Sequence, residues 1–252
     1  MIIGIPPYLL LLVAILLIYL LDCIVVLYAN EAIVRPHASG WQVEFGSRQP
    51  WVAGKRIHLL NPFTPLAATY RAHWQVSERL ARADEESLAR CARHVVLLAR
   101  LDSPIRTCAW AVLIVLPIAM LMWGALGFLL GAAACWLSVI VLLLRFFSMR
   151  RELQLGWGES ALIAFECLAC PPCAVNLLRK LSLSQRMGID LVGLLADMPE
   201  DRAAVAFALI GERTDARLLM MDDDTPEFAR TRAWRELIRI GHPRPAGEKE
   251  AA

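Results

Sequence analysis

Two long apolar blocks without a single Lys or Arg constrain this chain more than any other feature. They span residues 5–28 and 107–144, which is 24 and 38 residues. A soluble domain is normally about 45–50% apolar. This chain reaches 58%, with a mean hydropathy of +0.50. The pattern excludes an ordinary soluble globule, a disordered chain and a secreted disulfide scaffold. With 26 basic against 24 acidic residues, it also excludes a generic nucleic-acid binder. The class that remains is a mainly α-helical integral membrane protein with a sizeable soluble portion.

Residues 5–28 make a helix of about 36 Å, enough for one crossing. Pro6 and Pro7 stand at its start, and Tyr8 and Tyr28 near its ends suit the interfacial belts. A cleaved signal peptide fits less well, because residues 1–7 hold no basic residue and only Ala29 offers a weak cleavage signal. Residues 107–144 exceed one span and fit two, reversing near Trp123-Gly124-Ala125-Leu126-Gly127. Pro117 is expected to kink the second span. Gly127, Gly131 and Ala132 to Ala134 give the third a small-residue face for close helix packing.

All 26 basic residues lie in 31–106 (11 of them) and 145–252 (15 of them). The positive-inside rule makes both segments cytoplasmic. The expected topology is three transmembrane helices with the N-terminus outside, in a cell inner (plasma) membrane. The 23 Arg against 3 Lys hint at a GC-rich bacterial genome. The domain plan is a first span in 1–30, a cytoplasmic loop in 31–106, a helical hairpin in 107–145 and a cytoplasmic helical region in 146–252.

In the loop, Trp41 to Phe45 and Lys55 to Leu59 alternate apolar and polar residues. They predict a small antiparallel β-hairpin with Trp41, Val43 and Phe45 on the same side as Ile57 and Leu59. Residues 75–101 read as one amphipathic helix, ended by Ser103-Pro104. In the C-terminal region, 160–178 is apolar but broken by Pro171-Pro172. A fourth span there would put Arg179 and Lys180 outside, so two short interfacial helices are expected, capped by Ser160 and opened by the prolines. Helices are also expected over 199–210, closed by Gly211, and over 226–240, opened by the Thr225 cap. Phe228, Trp234 and Leu237 can share one face of the latter.

Chemistry is sparse. Cys167, Cys170 and Cys173 are spaced three apart, as thiolates that converge on zinc or an iron–sulfur cluster are. A Cys-x-x-Cys also does thiol–disulfide exchange. No fourth ligand is near, and buried cysteine often only packs. Asp22 is an intramembrane acid, by default a functional hypothesis, though it stands near enough to the interface to reach water. Asp222 to Asp224 lack calcium-loop spacing. His37, His58, His73 and His94 have no metal spacing; His58 is expected to face water and His94 to sit on a helix surface. No phosphate loop, dinucleotide fingerprint or nucleophile elbow occurs, which lowers the prior for an enzyme. The expectation is therefore a non-enzymatic membrane protein whose cytoplasmic module binds a protein partner or a second copy. Trp41, Phe45 and Trp234 are its candidate interaction surface. The alternative is a membrane-attached metal or thiol-redox protein.

Overall fold

A computed structural model describes residues 7–37, 40–48, 55–74, 85–185, 189–196 and 198–241. The chain is mainly helical with a small amount of β-sheet. It divides into two units that interleave along the sequence. The first comprises Met1–Val25, Leu59–Tyr70 and Ala89–Arg186, and the second Val26–His58, Arg71–Leu88 and Met187–Ala252.

The first, helical unit begins with α1 (Pro7–Asp22). This helix does not run on to Tyr28 as expected. The chain turns at Cys23, whose N–H donates to the Leu20 carbonyl at 3.1 Å, and enters strand β1 (Ile24–Leu27). Ile24, Val25 and Val26 are β-branched, and three such residues in a row favour extended backbone over helix. Hydropathy does not distinguish the two outcomes.

Helix α2 (Glu85–Leu98) leads through a 3-10 turn (Ala99–Leu101) straight into α3 (Asp102–Trp110). Ser103-Pro104 therefore does not end the helix. The 3-10 turn restarts the hydrogen-bond ladder, so Pro104 falls in the first turn of α3, where its missing N–H is not needed. A π-helical turn (Ala111–Val115) then precedes α4 (Leu116–Met149) and brings Pro117 into another first turn. Of the expected amphipathic helix over 75–101, residues 75–84 lie outside the described residues.

Within α4 the backbone reverses. Gly124 has φ 55° and ψ −125°, a conformation open to glycine and strained for other residues. Beyond it, a Cβ on Gly127 would lie 1.8 Å from the Ala119 carbonyl oxygen, and one on Gly131 would lie 2.7 Å from the Leu116 side chain. These pairs sum to nearly the same residue number, as an antiparallel hairpin requires. Ile105, Cys108, Val112, Leu116 and Met120 of one arm, and Cys135, Val139, Leu142 and Phe146 of the other, are buried at helical spacing. The opposite faces are apolar and exposed. Trp110, Ile118, Leu121, Met122, Leu126, Leu129, Leu137 and Leu144 are each more than half exposed, as are Leu10, Val13, Leu17 and Leu21 of α1. Judged by length and composition alone, the helical run Ala89–Met149, which includes the reversal at Gly124, is the one among the described residues long and apolar enough to cross a membrane.

The unit closes with α5 (Trp157–Ala169), α6 (Pro171–Val175) and α7 (Leu177–Ser184). Ser160 does not cap α5. Gly156 holds that position, and its N–H donates to Glu159 Oε2 at 3.3 Å. Ser160 lies one turn inside, its hydroxyl donating back to the Gly156 carbonyl. The double proline opens α6 at its first two positions. Helices α3 and α4 pack on α6, and so does α1.

The second, mixed unit contains β2 (Glu31–His37), β3 (Gly40–Glu44), β4 (Arg56–Leu59), β5 (Tyr70–His73) and β6 (Ile189–Asp190). The order in one sheet is β3-β2-β5-β6, and β1 pairs with β4. The expected pairing of 41–45 with 55–59 is thus wrong. Strand β3 pairs instead with β2, antiparallel, with Val34 opposite Val43 and Pro36 opposite Trp41. Residues 31–35 of β2 are all buried, so it shows no alternation to read. Three helices complete the unit: α8 (Leu191–Ala196), α9 (Glu200–Leu218) and α10 (Pro226–Gly241). Gly211 does not close α9, which continues two turns beyond it. The glycine instead admits the Arg235 guanidinium, 3.1 Å from where a Cβ would be. Arg235 then binds Asp215 through two bonds of 2.7 and 2.9 Å.

Candidate functional site

Asn176 at the N-cap position of α7, and Arg179 and Lys180 within the helix, stand at i, i+3 and i+4, which places them on one face. That face meets the C-terminal end of α1. Lys180 Nζ lies 2.9 Å from Asp22 Oδ1 and 3.2 Å from Glu166 Oε2 of α5. Asn176 donates through Nδ2 to Asp22 Oδ2 at 3.1 Å. Arg179 is buried; it donates to Asn176 Oδ1 at 3.2 Å and reaches the carbonyls of Asn61 and Thr64. Tyr19 donates to the carbonyl of Pro62 in the same loop. Burial works against the Lys180 ammonium, but the hydrogen bond and charge of Asp22 outweigh it, so its pKa is raised. Asp22 is therefore not a solitary intramembrane acid. It is the last residue of its helix, with a cation and an amide as partners.

The three cysteines separate into a pair and a single residue. Cys170 breaks the helix between α5 and α6, with φ −139° and ψ 84°. The prolines lack N–H groups, so the Cys173 N–H is the first to bond back, reaching the Cys170 carbonyl at 2.8 Å. This tight turn brings the two sulfurs to 3.0 Å, Cys173 donating to Cys170. Both are partly exposed, whereas Cys167 is buried on α5. Among the described residues no group of three or more His, Cys, Asp or Glu is placed to hold a metal ion. The zinc or iron–sulfur expectation thus gains nothing from the fold.

In the mixed unit, Trp41 and Phe45 line a groove of about 590 Å³ with Val43, Leu195, Met198 and Val205, rimmed by His37 and Arg202. Phe45 also packs on Trp74 at 6.0 Å and receives the Arg213 guanidinium at 5.0 Å from its ring centre. Trp234 does not join them; it is half-buried on α10. His58 does not simply face water. Its Nε2 is 2.9 Å from Glu44 Oε2, to which Arg35 also binds at 3.0 Å. His94 is buried rather than on a helix surface, its Nδ1 3.1 Å from the Tyr70 hydroxyl. Asp222 anchors the Thr225 cap through its carbonyl, and Thr225 Oγ1 accepts from the Phe228 N–H at 3.2 Å.

Residues that sequence reasoning missed are Glu31, Arg71, Asn176, Arg179 and Lys180. Glu31 is buried, 2.8 Å from Arg71 Nη1 and also bonded by the Tyr28 N–H. For the other three, a signal existed. Their spacing after an apolar run marks one polar helix face, although only the charges of Arg179 and Lys180 had been weighed, as topology markers. No family model matches the chain, and neither a curated protein nor a solved structure matches it.

Proposed function

We propose that this chain is a non-enzymatic integral membrane protein whose cytoplasmic module binds a protein partner or a second copy of the chain. The observation that carries the proposal is the apolar, exposed outer face of the hairpin arms and of α1. Large side chains such as Trp110, Leu121, Leu129 and Leu144 are more than half exposed there, and a surface of this kind is stable in hydrocarbon and costly in water. The three spans are α1 and the two hairpin arms, with residues 31–106 and 145–252 inside. Helix α1 has 16 residues, about 24 Å, shorter than an average hydrocarbon core, so it spans with local thinning of the bilayer. Arg106, Arg145, Arg150 and Arg151 flank the hairpin's open end and favour the cytoplasmic side. Asp22 and Lys180 form a neutralised pair at the same level of the first span.

Partner binding is assigned to the groove lined by Trp41 and Phe45. It lies beside β3, an edge strand of its sheet, and edge strands with neighbouring apolar pockets accept extended peptides. The test is a set of reporter fusions with isolated membranes. A fluorescent protein after Ala252 should glow, a phosphatase inserted at Gly124 should be active, and the protein should resist alkaline extraction. Phosphatase activity at Ala252, or extraction by alkali, overturns the topology. Crosslinking from position 42 should capture a protein partner or a second copy; a monomer with no adduct overturns the binding role.

A further inference from the structure

The Cys170 and Cys173 thiols are a pair of nucleophilic side chains in direct contact that the proposed function leaves unused. Their sulfurs are 3.0 Å apart and partly exposed. A disulfide needs about 2.05 Å, so closure requires a shift of about 1 Å. Pro171 and Pro172 fix two successive φ angles between the cysteines, and the bond from Cys173 N–H to the Cys170 carbonyl closes the turn at 2.8 Å. Little chain entropy remains to be lost on joining them.

We propose that Cys170 and Cys173 form a thiol–disulfide exchange site that accepts disulfide substrates, with Cys170 as attacking sulfur and Cys173 as resolving sulfur. The roles follow from the geometry. Cys173 donates its hydrogen to Cys170, so the Cys173 proton is held within the pair and Cys170 is its acceptor sulfur. Burial pushes the Cys173 thiol up, and its hydrogen bond to Cys170 and the charge of Asp22 add to this, so it keeps its proton until the second step. First, the Cys170 thiolate attacks one sulfur of R–S–S–R. A Cys170–S–R bond forms, the R–S⁻ released takes up the proton that Cys170 lost, and one R–SH departs. Then Cys173 attacks the Cys170 sulfur and expels the second R–S⁻, which takes the Cys173 proton. The dithiol loses two electrons and two protons, and the substrate gains both. The reverse sequence reduces the protein.

The test uses the full-length protein in detergent micelles, with oxidised and reduced glutathione as the probe couple. After equilibration across a range of ratios, free thiols are alkylated and the peptides are mapped by mass. The expected result is a reversible 170–173 disulfide, while Cys23, Cys91, Cys108, Cys135 and Cys167 remain alkylatable after denaturation. The C173S variant should trap glutathione on Cys170, and C170S should trap roughly tenfold less on Cys173. C167S should leave the linkage unchanged. The wild-type measurement stands even if a variant fails to fold. Absence of a 170–173 link at every ratio, or dominance of another pair, overturns the site. Equal trapping by C170S and C173S overturns the assignment of roles.

Discussion

The helical hairpin and the sheet-containing unit solve packing in opposite ways. The hairpin joins its arms through glycines and other small residues, with Gly127 against the backbone of Ala119. It buries Met120, Leu142 and Phe146, but many other large side chains, among them Trp110, Leu121, Leu129 and Leu144, point outward. The mixed unit keeps Ala32, Ile33, Val34 and Phe207 inside and also buries charge, pairing Glu31 with Arg71. A hairpin that turns its bulk outward gains little from water and depends on close contact between its arms. A sheet unit depends on burial from water and can hold an ion pair if each group has partners. The difference is the one expected if, as proposed, the hairpin faces hydrocarbon and the sheet unit faces water.

The largest effect should come from Gly127→Val. No side chain fits 1.8 Å from the Ala119 carbonyl oxygen, so the arms must part. The loss should reach or exceed the upper end of the ~1–3 kcal/mol typical of overpacking. Thermal unfolding in micelles should show it, and a stability equal to wild type would mean that close approach is not what joins the arms. A smaller loss is expected for Glu31→Gln in the mixed unit. The neutral amide keeps the Tyr28 N–H bond but loses the charge facing Arg71 and His73, at 2.8 and 3.7 Å. Because Arg71 is about one-third exposed, solvent screens part of the pair, and about 1–2 kcal/mol is expected. Urea unfolding followed by tryptophan fluorescence checks it; no loss would remove the charge-burying half of the contrast.

The smallest effect sharpens the comparison inside the helical unit. His94 is buried there against Tyr70, and burial lowers its pKa from the ordinary 6.5. The folded state thus holds it neutral at a pH where the unfolded chain is already protonated. Its contribution is present above about pH 6.5 and is lost as pH falls from there through the lowered folded value. A melting-temperature profile should slope downward with acid in that window. The slope should flatten in His94→Gln, and an unchanged slope would show that other groups titrate.

The sequence made some elements plain and hid others for physical reasons. The reversal at Gly124 was legible because glycine permits tight reversals such as the φ 55°, ψ −125° found there, and because the apolar block was too long for one crossing. The helix opened by Thr225-Pro226 was legible from capping chemistry. The end of α1 was not, because residues 23–28 are as hydrophobic as the helix before them and differ only in branching at Cβ. Strand β2 was hidden because both its faces are buried and Pro36 stands within it. Strand partners depend on contacts distant in sequence, and β3 found β2 rather than the next alternating segment. At the site, the cysteine spacing showed that sulfurs could converge, but not which of them do. Asp22 was visible as an acid, whereas its partners lie more than 150 residues away.

Under the membrane topology proposed above, the position of the reversal also bears on how the chain would enter a bilayer during synthesis. With its turn at Gly124 and both ends on one side, a hairpin of the proposed topology would insert as a closed loop. The segment that crosses first, around Trp123-Gly124-Ala125, contains no ionisable side chain. No charged domain has to be carried through the bilayer, and everything that follows residue 145 can fold where it was made.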